Sequence, residues 1–124
     1  MLLEKILVLH EWEMNKFPFF RTMIGRHIYV CLARNVFTDK NEEEVSIKKL
    51  LSSHFFTDRA IRLKIREMEK AGFLETKNGH KDQRVVVIKP TAELRKMMEE
   101  HSLMLNRVVS QDIIILEKNR QKNE

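Results

Sequence analysis

The chain has 124 residues, of which 43% are hydrophobic and 33% charged, with a single cysteine and a formal charge of +5 at pH 7. That length suits one compact domain over residues 1–124, and one cysteine excludes an intrachain disulfide. No apolar run approaches the ~18 residues of a membrane helix, no signal-peptide pattern is present, and the basic balance favours a polyanionic partner.

Residues 2–16 place Leu2, Ile6, Leu9 and Trp12 on one side, as in an amphipathic helix that stops before Pro18. The spacing predicts a second helix over 19–37 with Ile24, Ile28, Cys31, Leu32 and Val36 facing a core, and with a kink or break at Gly25. Cys31 sits in an apolar run and reads as a packed thiol. The acidic stretch TDKNEEE at 38–44 reads as an exposed connection on the far side from any bound anion. Ser46 can then cap a short helix whose Ile47, Leu50 and Leu51 point inward.

The segment TDRAIRLKIREMEKAG at 57–72 carries two faces. Ile61, Ile65 and Met68 recur at the spacing of a packing stripe, while Arg59, Arg62 and Arg66 occupy the other side. Thr57 is a suitable N-cap, Phe56 and Ile61 fit a hydrophobic staple, and Gly72 fits the position after the C-cap. Like charges at Arg62 and Arg66 cost an isolated helix ~0.2–0.5 kcal/mol, a cost that a bound phosphate or base edge would offset. The plain alternative is a solvated face in which Arg66 pairs with Glu69. A short helix, a turn and an arginine-faced helix in succession have the order of a helix-turn-helix, although the turn is longer than usual.

After Gly72 the pattern turns to β character, with FLETK and RVVVIK flanking NGHKDQ. Aligning apolar residues pairs Phe73 with Ile88 and Leu74 with Val87, and leaves a projecting basic tip rather than a tight Asn78-Gly79 turn. From Thr91 a long helix follows, with Leu94, Met98, His101, Leu105, Val108, Asp112 and Ile115 in steps of four and three, broadened by Met97 and Met104. Residues 119–124 are expected to fray. The surplus of apolar residues at both ends suggests self-association, the plain alternative being that the two terminal helices pack on each other within one monomer.

The order of elements and the residues from Ser46 to Leu94 resemble winged helix-turn-helix regulators of the MarR family. IREMEKAGFLE looks like that family's segment leaving the recognition helix, and DQRVVVIKPT looks like its wing. The resemblance implies a mainly α fold with a small β-hairpin wing and long terminal helices forming a dimer interface. It further implies a homodimer with recognition helices in successive major grooves of double-stranded DNA and wings reaching toward minor grooves. By position, Thr57, Arg59, Ala60, Arg62 and Leu63 match the part of the helix that meets DNA, and Arg84 matches a wing arginine that Asp82 would orient. Gln83 stands where a second wing arginine is common, and Leu63 where a polar or basic residue is frequent; Leu63 suits either a thymine methyl or a half-buried site.

The expected function is therefore a cytoplasmic, homodimeric, sequence-specific transcriptional regulator. Its recognition helix is 57–71, its wing 73–89, its DNA-binding part 46–90, and its flanking and dimerisation helices are 1–37 and 91–119. Arg66 joins the helix residues as a DNA contact, and Lys77, Lys81 and Arg84 on the wing would meet phosphates or the minor groove. The alternative is a winged-helix protein-interaction module without specific DNA binding. His10, His27, His54, His80 and His101 are dispersed without metal-ligand spacing, and no phosphate loop, nucleophile elbow or H-E-x-x-H helix occurs. No catalytic residue, metal, cofactor or membrane partner is assigned, and no effector.

Overall fold

A computed structural model describes residues 1–37, 44–52, 55–79 and 82–122, with side chains described as far as Ser110. The chain divides into two compact units, Met1–Pro18 with Met97–Glu124, and Phe19–Lys96. In order, the elements are α1 (Leu2–Lys16), a 3₁₀ turn (Pro18–Arg21), α2 (Met23–Val36), β1 (Val45–Ser46) and α3 (Ile47–Leu51). There follow α4 (Asp58–Lys70), β2 (Leu74–Asn78), β3 (Val86–Pro90) and α5 (Ala92–Lys122).

In the Phe19–Lys96 unit, α4 is held by its own sequence. Thr57 Oγ1 accepts from the Ala60 N–H at 3.2 Å, and Ile61, Ile65 and Met68 are all buried. The helix ends at Ala71, and Gly72 takes φ 87°, the left-handed turn in which a Cβ is strained. Ser46 caps α3 by accepting from the Lys49 N–H at 3.1 Å, with Ile47 and Leu50 buried and Leu51 half-buried. The α4 helix lies against α2, α3 and β2, so the arginine-bearing segment rests on a packed floor.

The second helix departs from expectation. It does not begin at Phe19 and break at Gly25; Thr22 caps it, accepting from the Gly25 N–H at 3.2 Å, and the preceding residues form the 3₁₀ turn. Gly25 lies inside the helix because the chain approaches closely there: a Cβ would stand 2.1 Å from the Phe19 carbonyl oxygen. Its buried face is Gly25, Ile28, Tyr29 and Leu32, whereas Ile24, Cys31 and Val36 are half-buried. Tyr29 enters this core through rings, with Phe19 at 5.4 Å and Phe20 at 4.9 Å between centroids.

The β elements form a three-stranded antiparallel sheet in the order β1-β3-β2, where a two-stranded hairpin was expected. The expected pairing of Phe73 with Ile88 and Leu74 with Val87 is not the one adopted. Leu74 faces Pro90 and Thr76 faces Ile88, a slip of three residues. The cause is Thr91, whose N–H donates to the Phe73 carbonyl at 3.1 Å while its hydroxyl reaches the Gly72 and Phe73 carbonyls at 2.8 and 3.1 Å. The far edge of β3 is met by β1, with Val45 opposite Ile88 and Ser46 opposite Val87. The long-loop reading of the tip holds, since Gly79 N–H reaches the Val85 carbonyl at 2.7 Å across a loop and not a two-residue turn.

In the other unit, α1 spans the expected residues but buries little of its apolar stripe. Leu2 and Ile6 are exposed, Leu9 and Trp12 half-buried, and its buried residue is Glu13. Glu13 Oε2 lies 2.7 Å from Nε2 of buried His101 on α5, between the rings of Trp12 and Phe17, which stand 5.9 and 5.0 Å from the imidazole. A carboxylate and an imidazole buried together satisfy each other, which is the condition on which either can leave water. On α5, Leu94, Met98 and His101 are buried as the seam predicts, while Leu105 is 38% exposed and Val108, Met97 and Met104 are half-buried. The side chains of Asp112 and Ile115 lie outside the described residues, and the helix runs through Lys122. No helix among the described residues is long and apolar enough to cross a membrane.

Candidate nucleic-acid interface

The outward face of α4 follows from its buried one. With Ile61, Ile65 and Met68 inward, positions 59, 63, 66 and 70 fall on the opposite side, in steps of four, three and four, and Arg62 lies on the flank. Arg59, Arg62, Leu63, Arg66 and Lys70 are all exposed, as is Thr57, while Ala60 is half-buried. Sequence reasoning had included all of these but Lys70, which the same helical step would have found one turn beyond Arg66.

The carboxylates near this face are drawn elsewhere. Glu67 pairs with Lys64 at 3.1 Å, and Glu69 accepts from the Thr76 hydroxyl of β2 at 2.6 Å. The Arg66–Glu69 surface pair is therefore not formed, and Glu69 instead fastens the end of α4 to the first strand of the hairpin. Among the described residues Arg59, Arg62 and Arg66 have no carboxylate partner, so their guanidinium groups are available to an external anion.

The wing residues divide. Arg84 is 94% exposed, and Asp82 Oδ1 accepts from its backbone N–H at 3.0 Å and lies 3.5 Å from its Nε, which is the orienting contact the sequence suggested. Lys77 Nζ instead sits 3.0 Å from Glu44 Oε1, so the acidic connection reaches the wing through its last residue. Lys81 and residues 38–43 lie outside the described residues. In the α2 region Cys31 Sγ stands 3.9 Å from His27 Nε2, and burial pushes its thiol above the ordinary value of 9.0 against the lowering pull of Arg34 and Lys49. No cluster of three or more metal-ligating side chains occurs among the described residues.

No family model matches the chain, and no curated protein does. Solved structures do match. The adhesin competence repressor AdcR from Streptococcus pyogenes aligns with a TM-score of 0.51 at 18% identity, over 78% of this chain and 66% of that one. The YusO protein from Bacillus subtilis aligns with a TM-score of 0.57 at 14% identity, over 98% and 85% of the two chains. BpsR from Bordetella bronchiseptica, solved to explain regulation of its DNA binding by 6-hydroxynicotinic acid, aligns with a TM-score of 0.51 at 13% identity, over 99% and 90%. The chain thus spans 66% of the length of AdcR and most of the other two. At these identities the likeness is one of architecture, and the chain has the winged helix-turn-helix fold that its resemblance to the MarR family implied.

Proposed function

We propose that this protein is a sequence-specific, homodimeric DNA-binding transcriptional regulator of the cytoplasm, with α4 in the major groove and the β2–β3 wing on phosphates or the minor groove. The observation that carries this reading is the outward face of α4. Three arginines are exposed there on a helix anchored by buried Ile61, Ile65 and Met68, and the adjacent Glu67 and Glu69 are engaged with Lys64 and Thr76. A neutral partner would gain nothing from this arrangement, whereas phosphates and guanine edges accept what guanidinium donates. The fold shared with a repressor and with a protein whose DNA binding is regulated supports it.

In this reading Arg59 and Arg62 read base edges, Thr57, Ala60 and Leu63 line the same approach, and Arg66 and Arg84 meet phosphates. Lys77 and Lys81 add charge on the wing, Lys77 in competition with Glu44. Self-association is supported by apolar side chains left outward in the other unit, where Leu3, Ile6 and Leu7 share one side of α1 and Leu105 and Val109 one side of α5.

The test is fluorescence anisotropy against fragments from the protein's own genomic neighbourhood, at two salt concentrations. We expect selection of one or a few fragments that competitor DNA does not displace. Arg62→Ala should lower affinity for the selected site about ten- to a hundredfold and for random DNA far less, whereas Arg84→Ala should lower both similarly and flatten the salt dependence. Equal affinity for all fragments, vanishing with salt, would reject the regulator and turn attention to partner proteins.

A further inference from the structure

Among the outward residues of α4, Leu63 is the exception. Its row is Arg59, Leu63, Arg66 and Lys70, so a cation lies one turn before it and another one turn after. It is 48% exposed, on a helix whose inward positions are already filled by buried Ile61, Ile65 and Met68. Glu67, one turn along, is held by Lys64 at 3.1 Å. Leu63 is thus an apolar spot surrounded by hydrogen-bond donors.

The DNA major groove presents phosphates, hydrogen-bonding base edges and one apolar group, the 5-methyl of thymine. Pressed against an amino or carbonyl edge, a leucine would strip its water and give no bond in return. Against the methyl, both surfaces leave water together. We propose that Leu63 is a specificity residue that selects a 5-methylpyrimidine, thymine in ordinary DNA, at one position of each half-site, between the bases or phosphates held by Arg59 and Arg66. This rests on the DNA-binding reading above and adds to it what the arginines do not supply, a preference set by a methyl group.

The experiment uses the full chain and its selected fragment, with each thymine replaced singly by deoxyuridine, which removes the methyl and leaves every hydrogen-bonding group in place. For the unaltered protein we expect one position per half-site at which the replacement weakens binding by about fourfold, the value of one buried methyl. Leu63→Ala should be indifferent to the methyl there, Leu63→Met should keep the sensitivity, and 5-methylcytosine should bind better than cytosine at the same position. Because Leu63 is exposed, both variants should melt with the parent. If every deoxyuridine replacement is neutral, or if Leu63→Ala keeps the full penalty, the assignment is overturned while selection of the fragment still stands. Failure to select any fragment removes the DNA-binding reading and this assignment with it.

Discussion

At the scale of single residues, two groups have properties that their sequence neighbours do not disclose. Glu13 and His101 are 88 positions apart; Glu13 continues the stripe of Leu2, Ile6 and Leu9 at the next step of four, so helical phase turns it inward, against the expectation for a carboxylate. Both positions were legible from their spacing, but their pairing was not. Removing one member leaves the other buried without its bond, so Glu13→Ala or His101→Ala should each destabilise the fold by about 2–3 kcal/mol. Replacing both with leucine should recover most of that loss, measured by urea denaturation of the parent, the two single variants and the double-leucine protein. Cys31 is the second. Its thiol is raised by burial, so at pH 8 it should react with iodoacetamide several-fold more slowly than a free cysteine, and at the ordinary rate once unfolded. The sign of the linkage follows: as pH rises past 9.0 the unfolded chain loses this proton first, and stability falls with it.

At the scale of elements, periodic segments were legible and short or long-range ones were not. The arginine-faced helix, its Thr57 cap and its Gly72 end follow from local chemistry alone, which is why α4 appears where the spacing places it. The two-residue strand β1 has no period to detect. The sheet register slipped by three because apolar matching is a weaker constraint than a threonine that ties two carbonyls and also caps α5, accepting from the Leu94 N–H at 3.3 Å. Thr91→Val should therefore cost about 1–2 kcal/mol and speed hydrogen exchange of the β2–β3 amides before it affects α4. Gly25 gives a sharper contrast. Judged by propensity alone, Gly25→Ala would stabilise a helix interior by roughly 0.5–1 kcal/mol. The Phe19 carbonyl stands 2.1 Å from the new methyl, so the substitution should instead destabilise, by about 1–3 kcal/mol, read as a lower melting temperature.

At the scale of the whole molecule, the reading joins a basic helix to an oligomeric state. The arginines were legible because exposed charge follows helical phase. The pairing of Lys77 with Glu44 was not, since only folding brings residue 44 to the wing. In the proposed role a single α4 would read a few base pairs, and its selectivity would multiply if a second copy read a symmetric half-site about one helical turn, 34–36 Å, away. Dimerisation and specific binding should then fail together. In α1, Leu3 is 68% and Leu7 57% exposed, so aspartate at both positions disturbs no described core. Leu3→Asp with Leu7→Asp should leave the helical circular dichroism intact while light scattering reports a monomer. Binding to the selected palindrome should fall by at least tenfold toward that of an isolated half-site, with affinity for random DNA little changed. A variant that stays dimeric with full affinity would exclude this α1 face from the interface and leave the exposed Leu105 and Val109 of α5 as the next positions to alter.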